Sequence, residues 1–197
     1  MRLIFLILSL NIFAAKDINI NISKLEKPSL ARFSTHQNAL ALNIPYSEVL
    51  KARSLIESAI KKDLSFFKGW VMTGEAHVTV ITPPEFDVLK KYITISQINQ
   101  IARKNYIQKS DLQVLGIGSA KKKKNEVFFI IVNSESLRKI RYQIYEIYKN
   151  KSNNEGNFDP YWYFPHITIG FTKNDLHESD GVIKSLKKTL DKRFELK

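Results

Sequence analysis

The chain has 197 residues, 44% of them hydrophobic, with no cysteine and a net charge of +12. That is enough apolar material for one domain with its own core. It excludes an intrinsically disordered chain, a disulfide scaffold, cysteine-based zinc sites and cysteine nucleophiles, and its basic surplus favours anionic partners without choosing among phosphates, nucleic acid and acidic lipid heads.

Arg2 opens the chain with a positive charge, Leu3 to Phe13 form an apolar run, and Ala14-Ala15 offer a small-residue cleavage site. This is the pattern of a secretory signal peptide over residues 1–15. The run falls short of the roughly 20 apolar residues that span a bilayer. No cysteine follows it to carry a lipid anchor. A buried N-terminal helix or a retained anchor is the alternative; the expectation is export to a periplasm or out of the cell, with no stable membrane insertion after cleavage. Residues 16–38 are polar, rich in Asn, Lys and Ser, and read as an arm, although Ile18, Ile20 and Ile22 alternate as an edge strand would. His36 lies in that arm.

Residues 39–197 read as one domain, with no linker inside it. ALALNI at 39–44 predicts a strand that Pro45 closes. Ser47 is the expected N-cap of a helix in which Val49, Leu50, Leu55, Ile56, Ala59, Ile60 and Leu64 keep a helical period. HVTVIT at 77–82 predicts a strand, and Thr82-Pro83-Pro84-Glu85 a capping box that starts a short helix. A further helix is expected over 95–106, then strands over 112–120 and 126–133 joined by the Lys121–Lys124 tract as a hairpin loop. That tract could grip an RNA backbone, but reads first as a solvated loop that keeps an edge from pairing. A long helix over about 134–150 leads through a polar loop to YWYFPHITIGFT, and Asp175 with Glu178 predicts a capped last helix over about 176–194. The order of elements is that of an α+β fold with mostly local strand pairing.

Two tetrapeptides in this series carry chemistry: His77-Val78-Thr79-Val80 and His166-Ile167-Thr168-Ile169. Successive side chains of a strand face opposite ways, so each histidine shares a face with its threonine while the aliphatic residues enter a core. One such pattern means little. Two, in a chain with only four histidines, point to a site where one imidazole takes a proton, another gives one, and hydroxyls hold phosphoryl oxygens. Trp70, Tyr161, Trp162 and Tyr163 lie close in sequence to one histidine or the other, and are candidates either for stacking a base or for the core. Gly170 follows Thr168 by two and marks either close approach of a ligand or a strand bulge. His177 and His36 lack metal-ligand spacing and read as surface residues.

The paired His-x-Thr-x tetrapeptides resemble the signature of the 2H phosphoesterase superfamily, which includes RNA 2′,3′-cyclic phosphodiesterases and LigT-like enzymes. The segment PHITIGFTKNDLHESDGVIKSL also resembles the Swiss-army-knife RNA-repair-like branch. The resemblance covers about residues 39–190. It implies a bilobal α+β fold of two pseudo-symmetric lobes around a cleft, with central antiparallel sheets and outer helices. It further implies His77, Thr79, His166 and Thr168 as the catalytic quartet. The implied reaction is hydrolysis of a 2′,3′-cyclic phosphate or related 2′ or 3′ phosphodiester of RNA or a nucleotide, with no metal or cofactor. Tyr163, Trp162, Gly170 and Trp70 are the expected substrate-binding positions, His166 the expected base and His77 the acid, and the protein is expected as a monomer. The alternatives are an exported basic module that binds nucleic acid or nucleotides without turnover, and a hydrolase whose histidines hold a metal.

Overall fold

In the computed structural model, residues 38–67, 76–153 and 157–194 are described. Residues 1–15, expected as a signal peptide, all but the last residue of the expected arm, and Trp70 and His36 lie outside them. Alternating burial sets the strands. β1 (Leu40–Ile44) buries Leu40, Leu42 and Ile44 and turns Ala41 and Asn43 the other way. β2 (Ala76–Ile81) and β5 (His166–Phe171) bury Val78, Val80, Ile167 and Ile169 almost completely, each such side chain contributing about 1.5–3 kcal/mol. β3 (Gln113–Lys122) and β4 (Asn125–Asn133) form a long hairpin. Only Lys123 and Lys124 separate its strands, with Lys123 at φ 55, so the four-lysine loop contracts to a two-residue turn.

The strands form one antiparallel sheet in the order β1-β2-β5-β4-β3. One face carries the main core. There Leu42, Val78, Ile167 and Ile130 pack with Val49, Ala52 and Ile56 of α1 (Tyr46–Ile60), Ile98 and Ala102 of α3 (Ile95–Lys104), and Leu137, Ile140 and Ile144 of α4 (Glu135–Ser152). The other face carries a smaller cluster of Val127, Phe129, Ile131, Phe171 and Leu176, flanked by Phe67 and Val182. No helix of the described residues is long and apolar enough to cross a membrane.

Local chemistry explains most boundaries. Thr82 and Glu85 make the expected capping box ahead of α2 (Pro83–Leu89), and Thr94 with Gln97 makes another ahead of α3. Ser134 caps α4 by accepting from the Leu137 N–H. Ser47 does not cap α1. The helix starts two residues earlier, directly after Pro45, so Ser47 is already in its first turn. α1 also ends sooner than its apolar period suggested. Lys61 turns left-handed at φ 53, the Leu64 N–H donates to Glu57, and Ser65 exchanges two backbone hydrogen bonds with Phe171.

The long helix expected over 176–194 is a second correction. The segment holds a 3-10 turn (Glu178–Asp180) and one short helix, α5 (Leu186–Thr189). Gly181 takes φ 81, which a continuing helix cannot use, and Asp175 spends its carboxylate elsewhere than on a cap.

Candidate active site

β2 and β5 meet at a single registered pair, Val78 opposite Ile167. Carried one residue either way, this antiparallel register sets His77 beside Thr168 and Thr79 beside His166. A pseudo-twofold axis thus passes through the Val78–Ile167 pair. The four polar side chains share the face opposite the main core and are half-buried, between fully buried aliphatic neighbours. The symmetry extends to irregularities. The β1–β2 register skips Val80, directly after Thr79, and the β4–β5 register skips Ile169, directly after Thr168. Each His-x-Thr-x motif therefore ends in a β-bulge, which bends the strand and ends the alternation there.

Past the Val78–Ile167 pair the backbone of β2 finds partners outside the sheet. The Tyr163 hydroxyl donates to the Thr79 carbonyl at 3.1 Å, and Arg141 Nη1 donates to the Val80 carbonyl at 2.7 Å. Arg141, on α4, is 1% exposed and also holds Glu85 and the carbonyls of Asp159 and Pro160. One buried guanidinium thus clamps the start of α2, the end of β2 and the loop that leads into β5.

The two histidines sit differently. His77 stacks on Phe67, with ring centroids 6.0 Å apart. The Nδ1–H of His166 donates to the Phe164 carbonyl at 2.8 Å, while its Nε2 lies 3.2 Å from the Lys184 ammonium. Those two partners require the neutral tautomer protonated on Nδ1, with its lone pair on Nε2. Lys184 pairs in turn with Asp175 at 2.8 Å, and both are buried. Asp175 also accepts from the Leu176 N–H and, at 3.4 Å, from the Thr168 hydroxyl. Burial first, and the Lys184 charge second, hold the His166 pKa far below its usual range, at about 3. Burial lowers the Lys184 pKa too, against the pull of Asp175. At neutral pH His166 is therefore a free base.

Two of the expected binding residues fall elsewhere. Tyr163 is buried, its ring lies under the Arg141 guanidinium at 4.5 Å, and burial pushes its phenol pKa up; it braces β2 and offers no face to a base. Gly170 is not on the site face. The bulge at Ile169 turns it toward the main core, where an added Cβ would stand 2.9 Å from both the Leu64 Cβ and the Ser65 carbonyl oxygen. Its smallness serves the close passage of the 64–65 segment. Trp162 is half-exposed, with its indole N–H donating to Glu178, and Tyr161 is more exposed still. His177 is on the surface as expected, 4.0 Å from Asp175. Among the described residues no three His, Asp or Glu side chains gather as a metal-holding group.

Asp175 and Lys184 are the residues that sequence reasoning missed. Asp175 looked like a helix cap, and Lys184 was one of several lysines in the segment read as the last helix.

A family model described as Swiss Army Knife, 2H phosphoesterase domain, matches residues 38–177. No curated protein and no solved structure is significantly similar to the chain.

Proposed function

The chain belongs to the 2H phosphoesterase superfamily, and from that premise we propose that it hydrolyses a 2′,3′-cyclic phosphate, or a related 2′ or 3′ phosphodiester of RNA or a nucleotide, without a metal. The observation that carries this reading is the pseudo-twofold register, which sets each histidine beside the other strand's threonine. A phosphate centred on that axis meets one imidazole on each side and a hydroxyl beside each.

His166 is the base. Its Nε2 lone pair takes a proton from water as the water oxygen bonds to phosphorus. His77 is the acid and gives its proton to the ribose oxygen as that P–O bond breaks. Thr79 and Thr168 donate to the non-bridging oxygens; the long Thr168–Asp175 hydrogen bond is readily exchanged for a phosphoryl oxygen. Proton exchange with solvent then resets both rings. The half-exposed Trp162 indole, ahead of β5 in the chain, is the surface on which a base would stack.

The test is turnover of 2′,3′-cyclic nucleotides and short oligonucleotides by the chain lacking residues 1–15, with and without chelator. Turnover that survives chelator and is lost in His77→Ala and His166→Ala supports the proposal. Loss in chelator with recovery on added metal contradicts it. Binding without product assigns the cleft to a nucleotide-binding module.

A further inference from the structure

A lysine with only 5% of its surface exposed is unusual, because taking an ammonium out of water costs several kcal/mol. Lys184 comes from the irregular segment between the 3-10 turn and α5, and three features fix where its charge sits. Asp175 holds it from one side at 2.8 Å, the Phe129 ring lies under it at 5.3 Å, and its remaining polar neighbour is His166 Nε2 at 3.2 Å. That nitrogen is the one left to His166 for a proton, since Nδ1 is engaged with the Phe164 carbonyl.

We propose that Lys184 is a positioning residue for His166: held by Asp175, its ammonium donates to Nε2, fixing the ring's tautomer and direction and opposing its protonation in the free protein. The inference rests on the hydrolytic reading above and gives its base a reason to be neutral. The charged and titratable groups around His166 are Lys184 and Asp175 from the C-terminal segment, and His77 from β2; His177 reaches Asp175 from the solvent side. Of these, Lys184 acts on the ring more strongly than Asp175 does. An anionic phosphate is a better partner for an ammonium than a neutral nitrogen is. Approach of an anionic phosphate therefore weakens the hydrogen bond from Lys184 and frees the Nε2 lone pair for water.

The experiment is NMR titration of the His166 ring in the wild type, Lys184→Gln and Lys184→Arg, with circular dichroism as the check on folding. Glutamine keeps a donor and removes the charge, leaving Asp175 as a bare carboxylate, so the His166 midpoint rises by about one pH unit or more. Arginine retains the charge and keeps the midpoint low. If Lys184→Gln does not fold, Asp175→Asn/Lys184→Met leaves no unpaired charge, and its midpoint also lies above the wild type, because the larger of the two opposing effects is the one from Lys184. Equal midpoints in all folded variants overturn the proposal. The titration needs no turnover: an inactive protein whose midpoint still moves sinks the hydrolytic reading alone, and an active one whose midpoint stays put sinks this inference alone.

Discussion

At the scale of single residues, the sequence displayed the two histidines and two threonines because strand alternation is a local rule and the aliphatic partners made it visible twice. Removing the hydroxyl in Thr79→Val or Thr168→Val takes away one donor to a developing charge and should lower kcat about 10²-fold while KM changes little; steady-state kinetics on a cyclic nucleotide check this. Trp162→Ala should do the reverse, raising KM for purine substrates with kcat nearly intact, if the indole stacks a base. Asp175 and Lys184 stayed hidden for a physical reason. Their pairing depends on how an irregular segment folds back over the sheet, and nothing periodic marks such a segment. Of the two readings left open for Tyr163, stacking and core, its burial favours the core. Its place under Arg141 is set by how the loop after α4 folds back against that helix.

At the scale of elements, what local chemistry encodes was legible and what tertiary contact decides was not. The Thr82–Glu85 box sits where its sequence puts it. The last helix fails because Gly181 breaks it and Asp175 is drawn into an ion pair. The bulge after Thr79 left no trace in an alternating aliphatic run, whereas Gly170 had offered a bulge as one of its two readings, and the bulge at Ile169 carried it to the opposite face. Gly170→Ala therefore presses a methyl group against the Leu64 side chain and the Ser65 carbonyl. Urea unfolding should show a loss of about 1–3 kcal/mol, with KM unchanged in whatever folds. Arg141→Met strands the carboxylate of Glu85 and several carbonyls together, and should cost about 3–5 kcal/mol by the same measurement.

At the scale of the whole molecule, the α+β class followed from the order of the elements, while the union of both motifs in one sheet did not. The halves β1–β2 and β5–β4–β3 join through one registered pair, and a pairing so distant in sequence has no local signature. The depressed pKa of His166 has a consequence for the stability of the fold. The unfolded chain binds a proton near the ordinary histidine value of 6.5, while the folded chain refuses it down to about pH 3. Stability therefore falls as pH drops below 6.5, because the unfolded state then holds more protons. His166→Asn removes that contribution, so the difference in unfolding free energy between variant and wild type should shift in the variant's favour between pH 7 and pH 4. Thermal or urea unfolding across that range checks the sign.

The central claim is that His77 and His166 act on one phosphate as a single acid–base unit. The most direct measurement is a double-mutant cycle on kcat for a 2′,3′-cyclic nucleotide in the presence of chelator. General acid–base groups each contribute about 10²–10⁴-fold, and groups that work as a unit are strongly non-additive. Each single alanine variant should lose nearly all turnover, and His77→Ala/His166→Ala should be little slower than either. Losses that multiply, or a single variant that keeps wild-type turnover, would contradict the account.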